Sequence, residues 1–337
     1  MAILLTGAAG FVGYHVAEAL LARGDVVLGV DEVNAYYDVG LKYARLDRLR
    51  AHGAFSFVKL DLAEAGALER ALDGLEVDRI IHLAAQAGVR HSLVAPFDYT
   101  RANVTGHLAV LEAARERPGL RHLVYASSSS VYGDSQATPF REDAPLGRAL
   151  SLYAATKQAG EAMAASYAHL FAIPTSGLRF FTVYGPWGRP DMAYFSFAQA
   201  ILRGEPVTLF DDGRVRRDFT YIDDVVAGVL GCLDHPPDRG APARLFNIGN
   251  THSEPVSALV AALEESLGRR AVVKMAARPA ADVERTEADV SALAMLCGFA
   301  PTTALAVGIE RFARWLTVFM EIGVGAEKEV DRPAAPH

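Results

Sequence analysis

The opening of the chain constrains the fold more than any other stretch. Ala2-Ile3-Leu4-Leu5-Thr6 is an apolar run of strand length that leads straight into Gly7-Ala8-Ala9-Gly10-Phe11-Val12-Gly13, and an amphipathic helix follows to about Arg23. A second apolar run, Val26-Val27-Leu28-Gly29-Val30, ends at Asp31. Strand, helix and strand in this order imply a right-handed crossover between parallel neighbours. Glycines three apart keep the turn tight and let backbone N–H groups approach a pyrophosphate at the helix N-terminus, whose partial positive charge favours an anion. The spacing is GxxGxxG rather than GxGxxG. A carboxylate at Asp31 can accept hydrogen bonds from an adenosine ribose and would repel a 2′-phosphate, which points to NAD rather than NADP.

The alternation continues to about residue 180. Strands are expected at 55–59, 79–82, 120–126 and 175–179, with intervening helices that include 98–116 and 153–171. This pattern predicts an α/β fold: a Rossmann-type doubly wound parallel sheet over 1–180 that binds the dinucleotide. Over 181–325, helices near 194–203, 224–233, 256–267 and 305–322 and strands near 207–210 and 245–248 suggest a smaller C-terminal α/β part that binds substrate, with some exchange of chain between the two. Residues 326–337 have little to bury and are expected to fray. Neither a repeat nor a flexible linker is visible, so the cleft between the parts should be largely pre-formed.

Two further stretches carry chemistry. Ser151-Leu152-Tyr153-Ala154-Ala155-Thr156-Lys157 places a phenol and an ammonium four residues apart, on one face of a helix. A neighbouring Lys⁺ favours the phenolate, so a tyrosine with a free pKa of about 10 can act as a base nearer neutral pH. Leu123-Val124-Tyr125-Ala126 runs out into Ser127-Ser128-Ser129-Ser130. Ligands of open α/β sheets collect beyond the carboxyl ends of strands, so at least one of these hydroxyls reads as a site residue.

Together these residues resemble the extended short-chain dehydrogenase/reductase family and, within it, the nucleotide-sugar 4-epimerases. The resemblance also rests on Asp61-Leu62, His82-Leu83-Ala84-Ala85-Gln86-Ala87-Gly88, Asn103, Tyr184-Gly185-Pro186-Trp187-Gly188-Arg189-Pro190-Asp191-Met192-Ala193 and the block from Arg216 to Asp224. It implies reversible inversion at C4 of UDP-glucuronate, giving UDP-galacturonate through a 4-keto sugar with NAD held in place. Ser128, Tyr153 and Lys157 are then the catalytic residues. Gly7, Gly10, Phe11, Val12, Gly13 and Asp31 fall at the cofactor, as do Asp61, Leu62, Leu83, Ala84, Ala85, Asn103 and Ser127, with Tyr153 and Lys157 at its reactive end. Arg90, Ser128, Ser129, Thr182, Arg189, Arg217 and Asp282 fall at the UDP-sugar. The chain departs from the family where a glycine usually precedes the aspartate, since Ala281 stands there. The helices over 98–116 and 153–171 resemble the pair with which the family builds a four-helix homodimer contact.

A uronate poses a difficulty that a neutral sugar does not. Oxidation at C4 leaves the carboxylate β to a ketone, and carbon dioxide can leave once that C–C bond aligns with the carbonyl π system. An arginine fork could hold the carboxylate away from that angle. Arg189 is the candidate; the alternative is a surface arginine beside a turn. UDP-glucose or UDP-N-acetylhexosamine 4-epimerases, a UDP-glucuronate decarboxylase and a catalytically silent NAD-binding scaffold are the competing readings. A 4,6-dehydratase is disfavoured, because Ser129 and Ser130 stand where it needs an acid/base carboxyl pair.

A net charge of −7 with no basic stripe argues against nucleic acid as a partner. No run approaches the ~20 apolar residues of a membrane span. The apolar start lacks a basic flank and is broken by glycines, and Cys232 and Cys297 have neither metal nor disulfide spacing, so a cytoplasmic protein is expected. His82, on an apolar strand, reads as a core histidine. Asp223-Asp224 reads as a helix N-terminus with one structural hydrogen bond, and no metal is expected.

Overall fold

The computed structural model describes residues 1–279 and 282–330, with the backbone alone over 322–330. Its first half runs β1 (Ala2–Thr6), α1 (Phe11–Arg23), β2 (Val27–Asp31), α2 (Val39–Arg50), β3 (Phe55–Lys59), α3 (Ala67–Ala71), β4 (Val77–His82), α4 (Pro96–Thr100), α5 (Gly106–Arg115), β5 (His122–Ser128), α6 (Leu152–Phe171) and β6 (Thr175–Phe180). The second half runs β7 (Thr182–Tyr184), α7 (Ala193–Arg203), β8 (Pro206–Phe210), β9 (Arg216–Tyr221), α8 (Ile222–Leu233), β10 (Arg244–Ile248), β11 (Ser253–Pro255), α9 (Val256–Leu267), β12 (Val272–Ala276), α10 (Ser291–Cys297) and α11 (Leu305–Val330).

Seven strands form one parallel sheet in the order β10-β6-β5-β4-β1-β2-β3. Helices cover both faces, so the strands are apolar on both sides and their side chains alternate between two cores. Ile3, Leu5, Ile81 and Val124 pack with Val16 and Leu20 of α1 and Val225 and Val229 of α8. Leu4, Ile80, Leu123 and Tyr125 pack on the other face with Val110 and Leu111 of α5 and Ala164 of α6. Fully burying each such side chain contributes about 1.5–3 kcal/mol. The strand order reverses between β1 and β4, which opens a crevice beyond Thr6 and His82.

The smaller part is built on two small sheets, β11-β9-β7 and β12-β8, with α7, α9 and α11 against them. Two elements expected there belong to the large sheet instead. β10 pairs with β6 along Arg244–Ile248, and α8 packs on α1 and β5. Both are apolar enough to finish the large core, and a parallel edge strand needs only a crossover to reach it. The helix expected over 98–116 is present and widens into a π-helical turn at Arg101–Thr105, between α4 and α5, where Asn103 is buried. α11 continues to Val330, past the start of the segment expected to fray. Ala326, Glu327, Lys328 and Glu329 are all good helix formers, which accounts for the extension; residues 331–337 lie outside the described residues. No described helix is long and apolar enough to cross a membrane.

Candidate active site

The crevice at the strand reversal continues between the two parts as a cleft of about 440 Å³. It is lined by Gly7, Gly10, Phe11, Val12, Gly13, Asp31, Asp61, Leu62, Leu83, Ala84 and Ala85 at one end. Ser127, Ser128, Ser129, Tyr153, Lys157, Thr182, Arg189, Arg217 and Asp282 line the rest. Two of the expected residues do not line it. Asn103 is buried behind the wall, where its amide accepts from Gln86 N at 2.8 Å and donates to Gln86 O at 3.0 Å and to Thr156 Oγ1 at 3.1 Å. With its hydrogen-bonding capacity committed to the fourth strand's loop and α6, it braces the site rather than facing a cofactor. Arg90 stands at the rim, 3.8 Å from Asp282 and stacked over Phe210.

The glycine turn is shaped by backbone contact. Gly7 has φ +75°, and a Cβ there would meet Ala84 N at 2.7 Å; a Cβ on Gly13 would overlap the Gly7 carbonyl oxygen. Only glycine keeps this loop closed against both β4 and α1. Gly10 caps α1 in an extended conformation without a side-chain cap, so the first-turn N–H groups face the cleft. That arrangement fits a pyrophosphate. Asp31 accepts from Ala9 N at 3.1 Å and from Val33 N at 2.8 Å, one bond on each carboxylate oxygen. Each oxygen keeps a further lone pair, so the residue holds the turn and can still receive ribose hydroxyls. Burial pushes its pKa up, opposed by those N–H groups and by the charges of Lys42 and Arg45.

Lys42 and Arg45 did not emerge from the sequence as site residues. Lys42 Nζ donates to Asn34 O and Oδ1, both at 2.8 Å, beside the ribose end of the cleft. Arg45 is fully buried and donates to Ala9 O at 2.8 Å, Trp187 O at 2.6 Å and Gly188 O at 2.9 Å. It ties the glycine turn to the turn that presents Arg189. The signal was present: both lie on the buried stripe Leu41, Lys42, Arg45, Leu46, Leu49 of α2, where a solvated cation has no place.

At the reactive end, Ser151 caps α6 by accepting from Ala154 N at 3.1 Å, which starts the helix where Tyr153 and Lys157 face the cleft. Burial raises the Tyr153 phenol above its ordinary pKa, while the Ser128 hydroxyl and the Arg189 charge pull it down. Of the serines, Ser128 is therefore the one coupled to the phenol; its Oγ also accepts from Ser130 N at 3.2 Å. Lys157 Nζ donates to Ala126 O at 2.9 Å rather than to Tyr153. Arg189 adds a second cation whose charge favours the phenolate. Burial lowers the Lys157 pKa to about 8 despite the opposing charge of Glu161 one turn on. Glu161 is itself held by Ser127 Oγ at 2.5 Å and by Arg179 Nε and Nη2 at 2.9 and 2.8 Å.

At the far end, Arg217 on β9 pairs with Asp282, whose backbone oxygen also accepts from Arg278 Nη1 at 2.6 Å. Arg90 and Arg217 face the Asp282 carboxylate, Arg278 pairs with Asp211 through Nε at 2.9 Å, and burial lowers the Arg217 pKa, aided by repulsion from Arg278 and Arg90 and opposed by Asp282. Three guanidiniums against two carboxylates leave a net positive charge at this end of the cleft, suited to a diphosphate. Ala281, where the family carries glycine, lies outside the described residues. Arg189 meets Asp191 side-on, Nε to Oδ1 at 3.1 Å and Nη2 to Oδ2 at 2.5 Å.

The residues set aside by the sequence stay outside the chemistry. His82 is buried, hydrogen-bonded to Thr6 Oγ1 at 2.7 Å and stacked on His107, and burial holds its pKa well below the usual value. Asp223 and Asp224 sit in the first turn of α8, and Asp224 accepts from Thr302 N at 3.3 Å and Thr303 N at 3.1 Å.

Residues 3–249 match the NAD dependent epimerase/dehydratase family. UDP-glucuronate 4-epimerase 3 of Arabidopsis thaliana is 45% identical over 328 residues, covering 93% of this chain and 76% of the plant protein. The crystal structure of UDP-glucuronic acid 4-epimerase from Bacillus cereus, in complex with UDP-glucuronic acid and NAD, superposes with a TM-score of 0.88 at 33% identity, over 95% of this chain and 100% of that one. A UDP-glucose 4-epimerase of Thermotoga maritima, solved with UDP-glucose, superposes with a TM-score of 0.85 at 26% identity, over 95% and 100% of the two chains. The fold is common to acid and neutral-sugar enzymes.

Proposed function

We propose, from the premise that this chain belongs to the NAD dependent epimerase/dehydratase family, that it reversibly inverts C4 of UDP-glucuronate to give UDP-galacturonate. The observation that carries this reading is the convergence of Ser128, Tyr153, Lys157 and Arg189 on one cleft that also holds the glycine turn. Incubation of the purified protein with UDP-glucuronate, followed by identification of the products, tests it.

The cradle of Gly7, Gly10 and Gly13, the open start of α1 and Asp31 would hold NAD, with Lys157 at the nicotinamide ribose. When bound, NAD takes the C4 hydrogen as hydride and returns it, so no net redox occurs. Tyr153 removes the 4-hydroxyl proton and gives it back after the 4-keto sugar has turned. Arg189 and Ser128 lower the cost of the buried phenolate, and Ser128 orients the 4-oxygen by a hydrogen bond. Arg217, Arg278 and Arg90 hold the diphosphate while the sugar turns, and Thr182 borders the sugar carboxylate.

Arg189 carries the uronate specificity in this reading. Loss of carbon dioxide from the β-keto acid breaks C5–C6, leaves the electron pair as an enolate and ends with a proton at C5. A planar guanidinium gripping both carboxylate oxygens fixes the C5–C6 torsion and keeps that bond out of line with the carbonyl π system.

The protein acts in the cytoplasm as a homodimer. Leu108 on α5 and Leu170 and Phe171 at the end of α6 are exposed apolar side chains on neighbouring helices, which supports pairing through these helices. Its partners are UDP-sugars, not nucleic acid or membrane.

A further inference from the structure

The arginine that faces the sugar is not free to choose its own orientation. Asp191 takes its Nε and Nη2 together, which is the side edge of the guanidinium fork. Nη1 makes no hydrogen bond among the described residues, and Arg189 lines the cleft. The end edge, with its two parallel N–H groups on Nη1 and Nη2, is therefore the one left for a second carboxylate.

Asp191 is in turn held from the other half of the molecule. Tyr36, in the loop between β2 and α2, donates its hydroxyl to Asp191 Oδ2 at 3.0 Å. Its ring leans on His91 at 4.6 Å between centroids, and the Arg189 guanidinium lies 6.0 Å from the ring. Room for this contact comes from Gly88, with φ +105°, where a Cβ would come within 2.7 Å of the Tyr36 hydroxyl. Pro190 fixes the backbone between Arg189 and Asp191.

We propose that Asp191, buttressed by Tyr36, is a positioning residue that fixes Arg189 so that its end edge meets the substrate carboxylate, and that this pair helps decide between inversion and loss of carbon dioxide. The inference rests on the reading of Arg189 as the carboxylate clamp. Asp191 is not a competitor that the substrate must displace, because the two carboxylates use different edges of one guanidinium. Unlike a lone arginine on a turn, a fork locked at its side edge cannot swing with the sugar. A carboxylate held at its end edge is restrained at the torsion that governs decarboxylation.

The test compares Asp191→Asn, Tyr36→Phe, Arg189→Ala and the Arg189→Ala/Asp191→Asn double variant. Each is assayed for kcat and KM with UDP-glucuronate, for UDP binding, and for the ratio of UDP-galacturonate to UDP-pentose. Asp191→Asn should lower kcat/KM for UDP-glucuronate by about tenfold to a hundredfold, the scale of a misplaced contact group. It should also raise the UDP-pentose share and leave UDP binding unchanged. Tyr36→Phe should shift the product ratio the same way by less, and the double variant should be no worse than Arg189→Ala alone. If Arg189→Ala lowers UDP-glucuronate turnover and raises the UDP-pentose share while Asp191→Asn matches wild type or binds UDP-glucuronate more tightly, the positioning role is overturned and the clamp stands. If Arg189→Ala itself leaves UDP-glucuronate turnover and products unchanged, the clamp and the positioning role fall together.

Discussion

Lys157 Nζ sits 2.9 Å from the carbonyl oxygen of Ala126, the residue that precedes the serine run, although Tyr153 is four residues away on the same face of α6. The ammonium thus joins α6 to the end of β5. Against burial, the Ser128 hydroxyl and the Arg189 charge pull the pKa of the phenol down. If Arg189 also grips the sugar carboxylate as proposed, proton transfer and carboxylate recognition share one guanidinium, which links substrate choice to the strength of the base.

Tyr153→Phe removes the proton acceptor and keeps the ring, which packs edge-on to Tyr99 at 6.0 Å. Turnover should fall by at least about a hundredfold while UDP-sugar binding survives. Steady-state kinetics alongside calorimetric titration with the UDP-sugar checks this, and near-normal turnover would remove Tyr153 as the base.

Burial brings the Lys157 pKa down to about 8, so its positive charge is present below that pH and lost above it. The activity that depends on this charge should decline on the alkaline side with a midpoint near 8. Arginine keeps its charge throughout this range, so in Lys157→Arg the alkaline limb should move upward even if the maximum rate is lower. A pH profile of kcat/KM decides; an unmoved limb in the variant assigns it to another group.

Denatured protein should release NAD⁺ or NADH, and NADP should not substitute. Asp31 is committed to Ala9 N and Val33 N at the ribose end, and a 2′-phosphate would bring a second anion against a buried carboxylate. Mass spectrometry of the released nucleotide settles it, with bound NADP the contrary outcome.

Light scattering at micromolar concentration should give twice the chain mass. Replacing Leu108 and Leu170 together by glutamate should give monomers, since two charges would have to be desolvated in the helix pair. A monomeric wild type would contradict the dimer.

The large sheet was legible because its central strands are buried on both faces and read as apolar runs, as at Ala2–Thr6 and in Leu123-Val124-Tyr125-Ala126 of β5. β7, β9, β11 and β12 were not, because strands such as Arg216–Tyr221 hold polar residues without clean alternation in sheets of two or three strands. β10 looked like part of the smaller unit because chain order does not reveal which sheet edge an apolar strand joins. The site shows the same division. Tyr153 and Lys157 are four apart on one helix, and the glycines lie in one turn, so spacing alone grouped them. Asp191 and Tyr36 act through a contact between loops far apart in sequence, and no spacing rule brings Tyr36 to Asp191 across 155 positions. Arg189 was found by chemistry, from what a β-keto acid needs, but its tether to Asp191 was visible only in three dimensions.

The most direct measurement is to incubate purified wild-type protein with UDP-glucuronate, without added cofactor, and resolve the products by chromatography and mass spectrometry. The expected result is UDP-galacturonate in equilibrium with UDP-glucuronate, little UDP-pentose, and much slower turnover of UDP-glucose. A UDP-pentose as the main product, or UDP-glucose converted as readily as the acid, would contradict it.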